Sequence, residues 1–134
     1  MAPSNEDIAD TYFLAYLTKD PGRAMFASDV TLQYPLTPRK IVGKQNVAEY
    51  MLSVMHGVNF VEIERHLVDG DYVVTVYKAH TVWGIMPGCS VFRISNGMIA
   101  EVRGFFDPRP VLQRDESTPP SEDMELGDQG QSGG

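Results

Sequence analysis

Two strand–turn–strand patterns between residues 61 and 106 constrain the fold of this chain more than any other feature. Asn96-Gly97 lies between two apolar runs, and this dipeptide in such a context is the strongest short-range signal for a two-residue β-hairpin. Asp69-Gly70 separates another pair of apolar, β-branched runs in the same way. The second half of the chain is therefore predicted to form four antiparallel strands.

The first half of the chain carries helical patterns instead. A capping-box-like start at Ser4 and apolar residues at four-residue spacing predict a helix over about residues 5–18. Asp20-Pro21 predicts a short second helix, and an apolar stripe predicts a third over about 45–56. One alternating strand, ended by Pro35, lies between them. This order predicts an α+β domain with three N-terminal helices packed on a curved, mostly antiparallel sheet.

Composition divides the chain at about residue 112. All thirteen aromatic residues precede residue 113, whereas residues 113–134 hold six acidic residues and one arginine, and so five of the seven net negative charges. A segment of that kind cannot bury enough apolar surface to offset the entropy of ordering it. We therefore predict one folded domain, 1–112, followed by a disordered, acidic Gly/Ser/Pro-rich tail, 113–134.

Several classes of function find no support in the sequence. The nearly neutral domain lacks the basic face that nucleic-acid binding requires. A single cysteine, Cys89, excludes an internal disulfide and a Cys-rich metal site, and the three histidines show no ligand spacing. No apolar run is long enough for a membrane span, and the acidic N-terminus is unlike a signal peptide. We expect a cytoplasmic protein that needs no metal or other cofactor.

The chain resembles the NTF2-like superfamily, and within it the SnoaL-like group, over about residues 5–112. The similar segments are Asp29–Leu32, Ile41–Lys44 before the third helix, and Asn96–Glu101 running on to Phe105–Pro108. The resemblance implies a cone with one pocket between the helices and the concave face of the sheet. The superfamily includes ketosteroid isomerases, scytalone dehydratase, polyketide cyclases, limonene-epoxide-hydrolase-like enzymes and non-enzymatic binders, so it implies a fold more than a reaction.

The first hairpin supplies two candidate catalytic residues. Pairing its strands about Asp69-Gly70 predicts that Lys78 and His80 continue an apolar, inward-facing row and enter the pocket. An imidazole titrates near neutrality, so His80 is the first choice for proton transfer, with Lys78 as electrostatic support. We interpret His56, at a helix end, and His66 as structural, and we expect His66 to be solvated because it shares a strand face with Glu62 and Glu64.

The resemblance supplies further candidates. Tyr34, before proline, stands where ketosteroid isomerases have an aspartate base, and Tyr12 stands at a place similar to their oxyanion tyrosine. A phenol is a poor base at neutral pH but a good hydrogen-bond donor. Asp107 is kept as a candidate acid near the pocket mouth. The candidate substrate-binding residues are Ser90, Trp83, Tyr16, Phe92, Val102, Phe106 and Met86.

Two departures from the epoxide-hydrolase-like members argue against an Asp-Arg-Asp triad. At the strand positions that resemble Lys78-Ala79-His80 of this chain, those members carry Arg-x-Asp. At the position that resembles Gly104, they carry an aspartate. The inward face of the last strand is left open between Val102 with Gly104 and Glu101 with Arg103, and the apolar set favours the first.

These observations lead to one main hypothesis and two alternatives. The main hypothesis is a cofactor-independent lyase or isomerase (dehydration, double-bond isomerisation or cyclisation) acting on an apolar, polyketide- or terpenoid-like small molecule of secondary metabolism. The alternatives are a non-catalytic small-molecule-binding or dimerisation module, and an epoxide hydrolase or epoxide-opening cyclase. The resemblance also implies a homodimer through the convex face of the sheet. From charge and hydropathy we expect neither nucleic acid nor membrane as a partner.

Overall fold

A computed structural model describes residues 2–112, and the predicted acidic tail lies outside the described residues. Helix α1 (Asn5–Thr18) begins at the predicted capping box, in which the Asp7 amide donates to Ser4 Oγ at 3.1 Å. The predicted short second helix forms as a single 3-10 turn (Pro21–Arg23) capped by Asp20, and it ends earlier than predicted, before the chain becomes extended at Phe26. Helix α2 (Lys44–Met55) follows as predicted.

Six strands form one sheet against which these helices pack. They are β1 (Phe26–Gln33), β2 (Ile41–Val42), β3 (Val58–Asp69), β4 (Tyr72–Thr81), β5 (Gly84–Ser95) and β6 (Met98–Phe106). Their order across the sheet is β2-β1-β6-β5-β4-β3, and every neighbouring pair is antiparallel except β1 with β6. The α+β class and the mostly antiparallel sheet are thus confirmed, with β2 and the early start of β5 as additions.

The two predicted hairpins form, but the first has another register. Asn96 and Gly97 have φ angles of 53° and 73°, as a two-residue turn between twisted strands requires. In the first hairpin Asp69 pairs with Tyr72, and an irregularity between Ile63 and Arg65 shifts the pairing along β3. A bulge of this kind exchanges the two faces of a strand.

The face of β4 that points toward the helices is therefore the opposite of the predicted one. Val73 and Thr75 are fully buried and Tyr77 nearly so, whereas Lys78 between Tyr77 and Ala79 is exposed. Residues 73–77 are apolar or β-branched on both faces, so alternation could not identify the inward face.

The hydrophobic core lies between the helices and the concave face of the sheet. Helix α1 contributes Ile8 and Phe13, and the sheet contributes Leu32, Phe92 and Val102, all of them buried. The Lys19 ammonium, just after α1, donates to the carbonyls of Met55 at 2.7 Å and of Val58, which caps the end of α2. These contacts tie the end of α1 to the end of α2.

Candidate active site

A pocket of about 300 Å³ opens between the two helices and the concave face of the sheet. This is near the lower limit for pockets that bury small organic ligands, ~300–1,000 Å³. Its lining is mostly aromatic and aliphatic, and no carboxylate is among the lining residues that the structure describes. The lining residues are Tyr12, Phe13, Tyr16, Tyr34, Leu36, Tyr50, Ser53, Val54, His56, Val58, Val61, Tyr77, Ala79, Thr81, Trp83, Met86, Phe106 and Val111.

Three tyrosine hydroxyls meet in the pocket. Tyr12 and Tyr16 lie one turn apart on α1, and their hydroxyl oxygens are 3.4 Å apart. The Tyr34 hydroxyl, at the end of β1, contacts the Tyr12 hydroxyl directly. All three side chains are buried. The helical spacing of Tyr12 and Tyr16 and the position of Tyr34 before Pro35 thus place three predicted site residues side by side.

Burial keeps these phenols protonated. It raises the pKa of Tyr12 well above its ordinary value, and the neighbouring phenols Tyr16 and Tyr34 raise it further. Burial likewise raises the pKa of Tyr16 and of Tyr34, with smaller opposing effects from their hydrogen bonds. Burial also raises the pKa of Tyr77 to about 12. A cluster of neutral phenols donates hydrogen bonds and does not act as a base at neutral pH.

The ring of Tyr34 lies directly over Gly104 on β6. A Cβ atom at position 104 would be 1.5 Å from Cε1 and 1.9 Å from Cδ1 of this ring, so only glycine leaves room for it. The ring also stacks on Tyr50, with centroids 6.1 Å apart, and tilts against Phe106 at 5.9 Å. The departure of Gly104 from the epoxide-hydrolase-like pattern is thus linked to the tyrosine at position 34.

Ser90 lies beside this cluster, on β5 opposite Gly104. Its side chain is fully buried, and its hydroxyl has no hydrogen-bond partner with good geometry. It is nevertheless near enough to the hydroxyls of Tyr34 and Tyr77 to lower the pKa of each slightly, against the larger effect of burial. A buried hydroxyl left unpaired costs about 1–3 kcal/mol, so Ser90 is a polar group with unused capacity.

Trp83 forms the wall at the wide end of the pocket. A Cβ atom on Gly57 would be 2.5 Å from Cη2 of its indole, so the ring rests on bare backbone. Trp83 and Met86, both candidate substrate-binding residues, line the pocket. The segment between them is regular, because residues from Gly84 onward pair with β4 as part of β5.

Lys78 and His80 do not line the pocket, so their predicted placement is wrong. Both lie on the convex face, where Lys78 Nζ is 3.5 Å from Glu64 Oε2. The His80 ring stacks on Phe60 with centroids 4.2 Å apart, and its Nε2 is 3.3 Å from Glu62 Oε1. The physical reason is the reversed face of β4 described above.

The other predicted residues are divided between pocket, core and surface. Phe106 lines the pocket together with the residues already described. Phe92 and Val102 are fully buried beneath it, which also shows that Val102 and Gly104 face inward on β6. Asp107 is half-exposed outside the pocket, and its hydrogen bonds with Arg109 lower the pKa of its carboxyl.

Three titratable residues of the pocket lining were not predicted as site residues. His56, interpreted as structural, is the one histidine among the described residues that lines the pocket. Tyr77 and Tyr50 line it too, but the first was assigned to the outer face and the second lies on α2 without a motif. Tyr77 could have been identified only from the observed pairing of β4, which turns its side chain toward the helices.

His66 also lies elsewhere than predicted. Its side chain is only 14% exposed and faces α1, because the irregularity in β3 reverses its face. Nε2 is 2.8 Å from Asp10 Oδ1, and Nδ1 is 2.7 Å from Thr75 Oγ1. The imidazole thus joins a surface carboxylate to a fully buried hydroxyl.

Within residues 2–112, no three His, Cys, Asp or Glu side chains cluster as a metal ion would require. No helix in this part of the chain is long and apolar enough to cross a membrane.

Comparison with known proteins now adds to this geometry. The family model described as a SnoaL-like domain matches residues 11–102. No curated protein sequence matches the chain.

Solved structures share the fold at low sequence identity. A candidate SnoaL-like polyketide cyclase from Jannaschia sp. CCS1 is 17% identical, with 86% of this chain and 93% of that one covered and a TM-score of 0.73. An NTF2-like protein of unknown function from Cytophaga hutchinsonii is 16% identical (84% and 97% covered, TM-score 0.72). A candidate ketosteroid isomerase from Kribbella flavida is 18% identical (77% of each covered, TM-score 0.68).

Proposed function

Because this chain belongs to the SnoaL-like family, we propose that it is a cofactor-independent isomerase, lyase or cyclase acting on a compact, apolar ligand that carries an oxygen function. The observation that carries the proposal is the cluster of neutral tyrosine hydroxyls in a mostly apolar pocket. Such donors bind a carbonyl or enol oxygen and stabilise the charge that develops on it. A polyketide- or terpenoid-like intermediate has this chemistry.

Proton transfer requires an acceptor as well as donors. His56 at the pocket lining takes the role that the sequence assigned to His80. In an enolisation the imidazole removes a proton from the carbon next to the carbonyl, the C–H electrons form a C=C bond, and the oxygen gains charge. The hydroxyls of Tyr34 and Tyr12 stabilise this charge, and the imidazolium returns the proton to another atom.

One specific observation favours a non-catalytic binder as the second candidate. Among the described residues, the pocket lining includes no carboxylate, and His56 is exposed at its position after α2. A pocket of this kind could hold a ligand without changing it. An epoxide hydrolase receives less support. The epoxide-hydrolase-like members carry an aspartate where this chain has Gly104, and here the Tyr34 ring covers that position.

The homodimer through the convex face stays a prediction. Leu67, Ile85 and Phe105 are each about half exposed there, which supports it. A cytoplasmic location and a role in secondary metabolism likewise stay proposals.

Binding of matched probes tests the role of the hydroxyls. The chain has one tryptophan, so the indole N–H resonance of Trp83 gives a single reporter inside the pocket. We expect 2-naphthol to bind about fivefold more tightly than 2-methylnaphthalene, because one hydrogen bond contributes ~1 kcal/mol net. Tyr34→Phe should remove this preference without weakening 2-methylnaphthalene, whereas Tyr72→Phe, an exposed control, should retain it. Equal affinities in the wild-type protein would contradict the proposal.

Catalysis is tested separately with 2-tetralone, a bicyclic ketone with exchangeable α-protons. In D₂O we expect the protein to accelerate α-deuteration, followed by proton NMR, and Tyr34→Phe or His56→Ala to lower the rate by roughly 10²-fold. His80→Ala is the matched histidine control and should leave the rate unchanged. Binding of 2-tetralone without acceleration over buffer would refute the enzyme and favour the binder.

A further inference from the structure

A row of polar groups crosses the concave face of the sheet at one level. His66 on β3 pairs with Thr75 on β4, Thr75 with Ser90 on β5, and Ser90 with Gly104 on β6. The ring of Tyr34 covers Gly104 and completes the row. Directly opposed residues share a face with Cβ atoms ~4.5–5.5 Å apart, so rotation of the Ser90 side chain about its Cα–Cβ bond can bring its hydroxyl, which has no partner as placed, to that of Thr75.

The row has one charged end and one end in the pocket. Asp10 on α1 is half-exposed and bonded to His66 Nε2, while the Tyr34 hydroxyl contacts Tyr12 in the pocket. Thr75 and Ser90, between them, are both fully buried. Thr75 already bonds to His66 Nδ1, and Ser90 is the buried hydroxyl without a partner. The Ser90 hydroxyl thus lies between Thr75 and Tyr34, where a hydrogen bond to each would complete the row.

We propose that Asp10 and His66 are positioning residues that set, through the hydroxyls of Thr75 and Ser90, the direction in which the Tyr34 hydroxyl donates. A carboxylate only accepts, so a neutral His66 donates from Nε2 to Asp10 and accepts at Nδ1 from the Thr75 hydroxyl. Ser90 then donates to Thr75 and accepts from Tyr34. In this state the Tyr34 proton points toward Ser90, so within the pocket the Tyr34 oxygen accepts, as from the hydroxyl of 2-naphthol, and Tyr12 is the phenol that donates.

Protonation of His66 reverses the row. Both ring nitrogens then donate, so Nδ1–H donates to Thr75 Oγ1 and the Thr75 proton turns toward Ser90. Ser90 donates in turn to the Tyr34 oxygen, and the Tyr34 proton becomes available to Tyr12 or to a ligand oxygen. The inference rests on the proposed function only in the role it gives to Tyr34.

Asp10 is the carboxylate that the structure bonds to this imidazole. Glu64 pairs instead with Lys78, and Asp7 accepts from the Ser4 amide at the start of α1. The other charged side chains along the neighbouring parts of α1 and β3 are Glu6, Glu62, Arg65 and Asp69.

The test uses NMR on the ligand-free protein labelled at tyrosine ¹³Cζ and histidine ¹⁵N. When both nuclei are followed as the pH is lowered, we expect the Tyr34 resonance to move with the same midpoint as the His66 imidazole. Thr75→Val, which is nearly isosteric, should abolish the movement, and Thr75→Ser should restore it. His80→Gln is the control, because His80 forms a similar pair with Glu62 on the convex face.

The proposal is overturned if the Tyr34 resonance stays fixed while His66 titrates, or if its movement survives in Thr75→Val. Should Thr75→Val fail to fold, Ser90→Ala breaks the same row and is expected to give the same loss. No ligand is present, so failure here leaves the probe-binding result unaffected, and failure of probe binding leaves this result unaffected.

Discussion

Replacing Gly104 by alanine gives the most direct test of the pocket's construction. The new Cβ would be 1.5 Å from Tyr34 Cε1 and 1.9 Å from Cδ1, whereas carbon atoms normally pack at ~3.5–4.0 Å. The ring therefore has to move by roughly 2 Å. It is only 7% exposed and is held between Tyr50 and Phe106, so no free space receives it.

The expected loss of stability follows from these contacts. Overpacking of a core costs about 1–3 kcal/mol, and separation of the Tyr34 and Tyr12 hydroxyls costs about 1 kcal/mol more. Replacing glycine in a strand returns roughly 0.5–1 kcal/mol. We expect Gly104→Ala to lower the free energy of unfolding by about 2–3 kcal/mol, and the melting temperature by about 10–20 °C for a domain of this size.

Urea unfolding followed by circular dichroism measures this loss, and a double-mutant cycle assigns it to the ring. In a Tyr34→Ala background the same Gly104→Ala change has space, so it should be neutral or stabilising by up to about 1 kcal/mol. A wild-type-like stability of Gly104→Ala, within about 0.5 kcal/mol, would refute the reasoning. An equal loss in both backgrounds would show that the ring is not the cause.

Two further predictions follow from the buried aromatic residues. The pKa of Tyr77 is raised to about 12, so the folded protein keeps a phenol proton that the unfolded chain loses above pH ~10. The contribution of this proton to the free energy of unfolding is therefore complete below pH ~10 and disappears as the pH rises toward 12. Urea midpoints measured from pH 9 to 11.5 should fall less steeply in Tyr77→Phe, and an identical slope would contradict the assignment. Gly57→Ala should displace the Trp83 indole, shift its N–H resonance and weaken 2-methylnaphthalene binding at least several-fold, because the new Cβ would be 2.5 Å from Cη2. An unchanged resonance would show that the ring does not rest on Gly57.

Local signals were sufficient for most of the fold. The cap at Ser4, the spacing along α1 and the Asn96-Gly97 turn each act within a few residues, and each forms as predicted. The tyrosines at positions 12 and 34 were found because their places along helix and strand resemble those of known relatives, and the structure brings them into contact.

The inward face of β4 could not be predicted in the same way. A strand with apolar residues on both faces does not show which face points toward the core. The irregularity between Ile63 and Arg65 has no local sequence signal such as glycine. The face is decided by packing against α1, which alternation along one strand does not report. His80 was chosen over His56 for this reason.

The pairing of Tyr34 with Gly104 was also outside the reach of local reasoning. It depends on parallel contact between β1 and β6, in which Gln33 pairs with Arg103. The sequence showed that Gly104 departs from related proteins, but not which side chain fills the space.

We expect this same parallel contact to form late in folding. β1 and β6 are separated by most of the domain, so their pairing closes a long loop, whereas the three hairpin-linked antiparallel pairings of β3 to β6 are local. During synthesis on a ribosome, Tyr34 emerges long before the glycine on which it rests. We therefore expect the pocket to be assembled last, and a chain that stalls before β6 to expose a row of aromatic side chains that the finished protein covers.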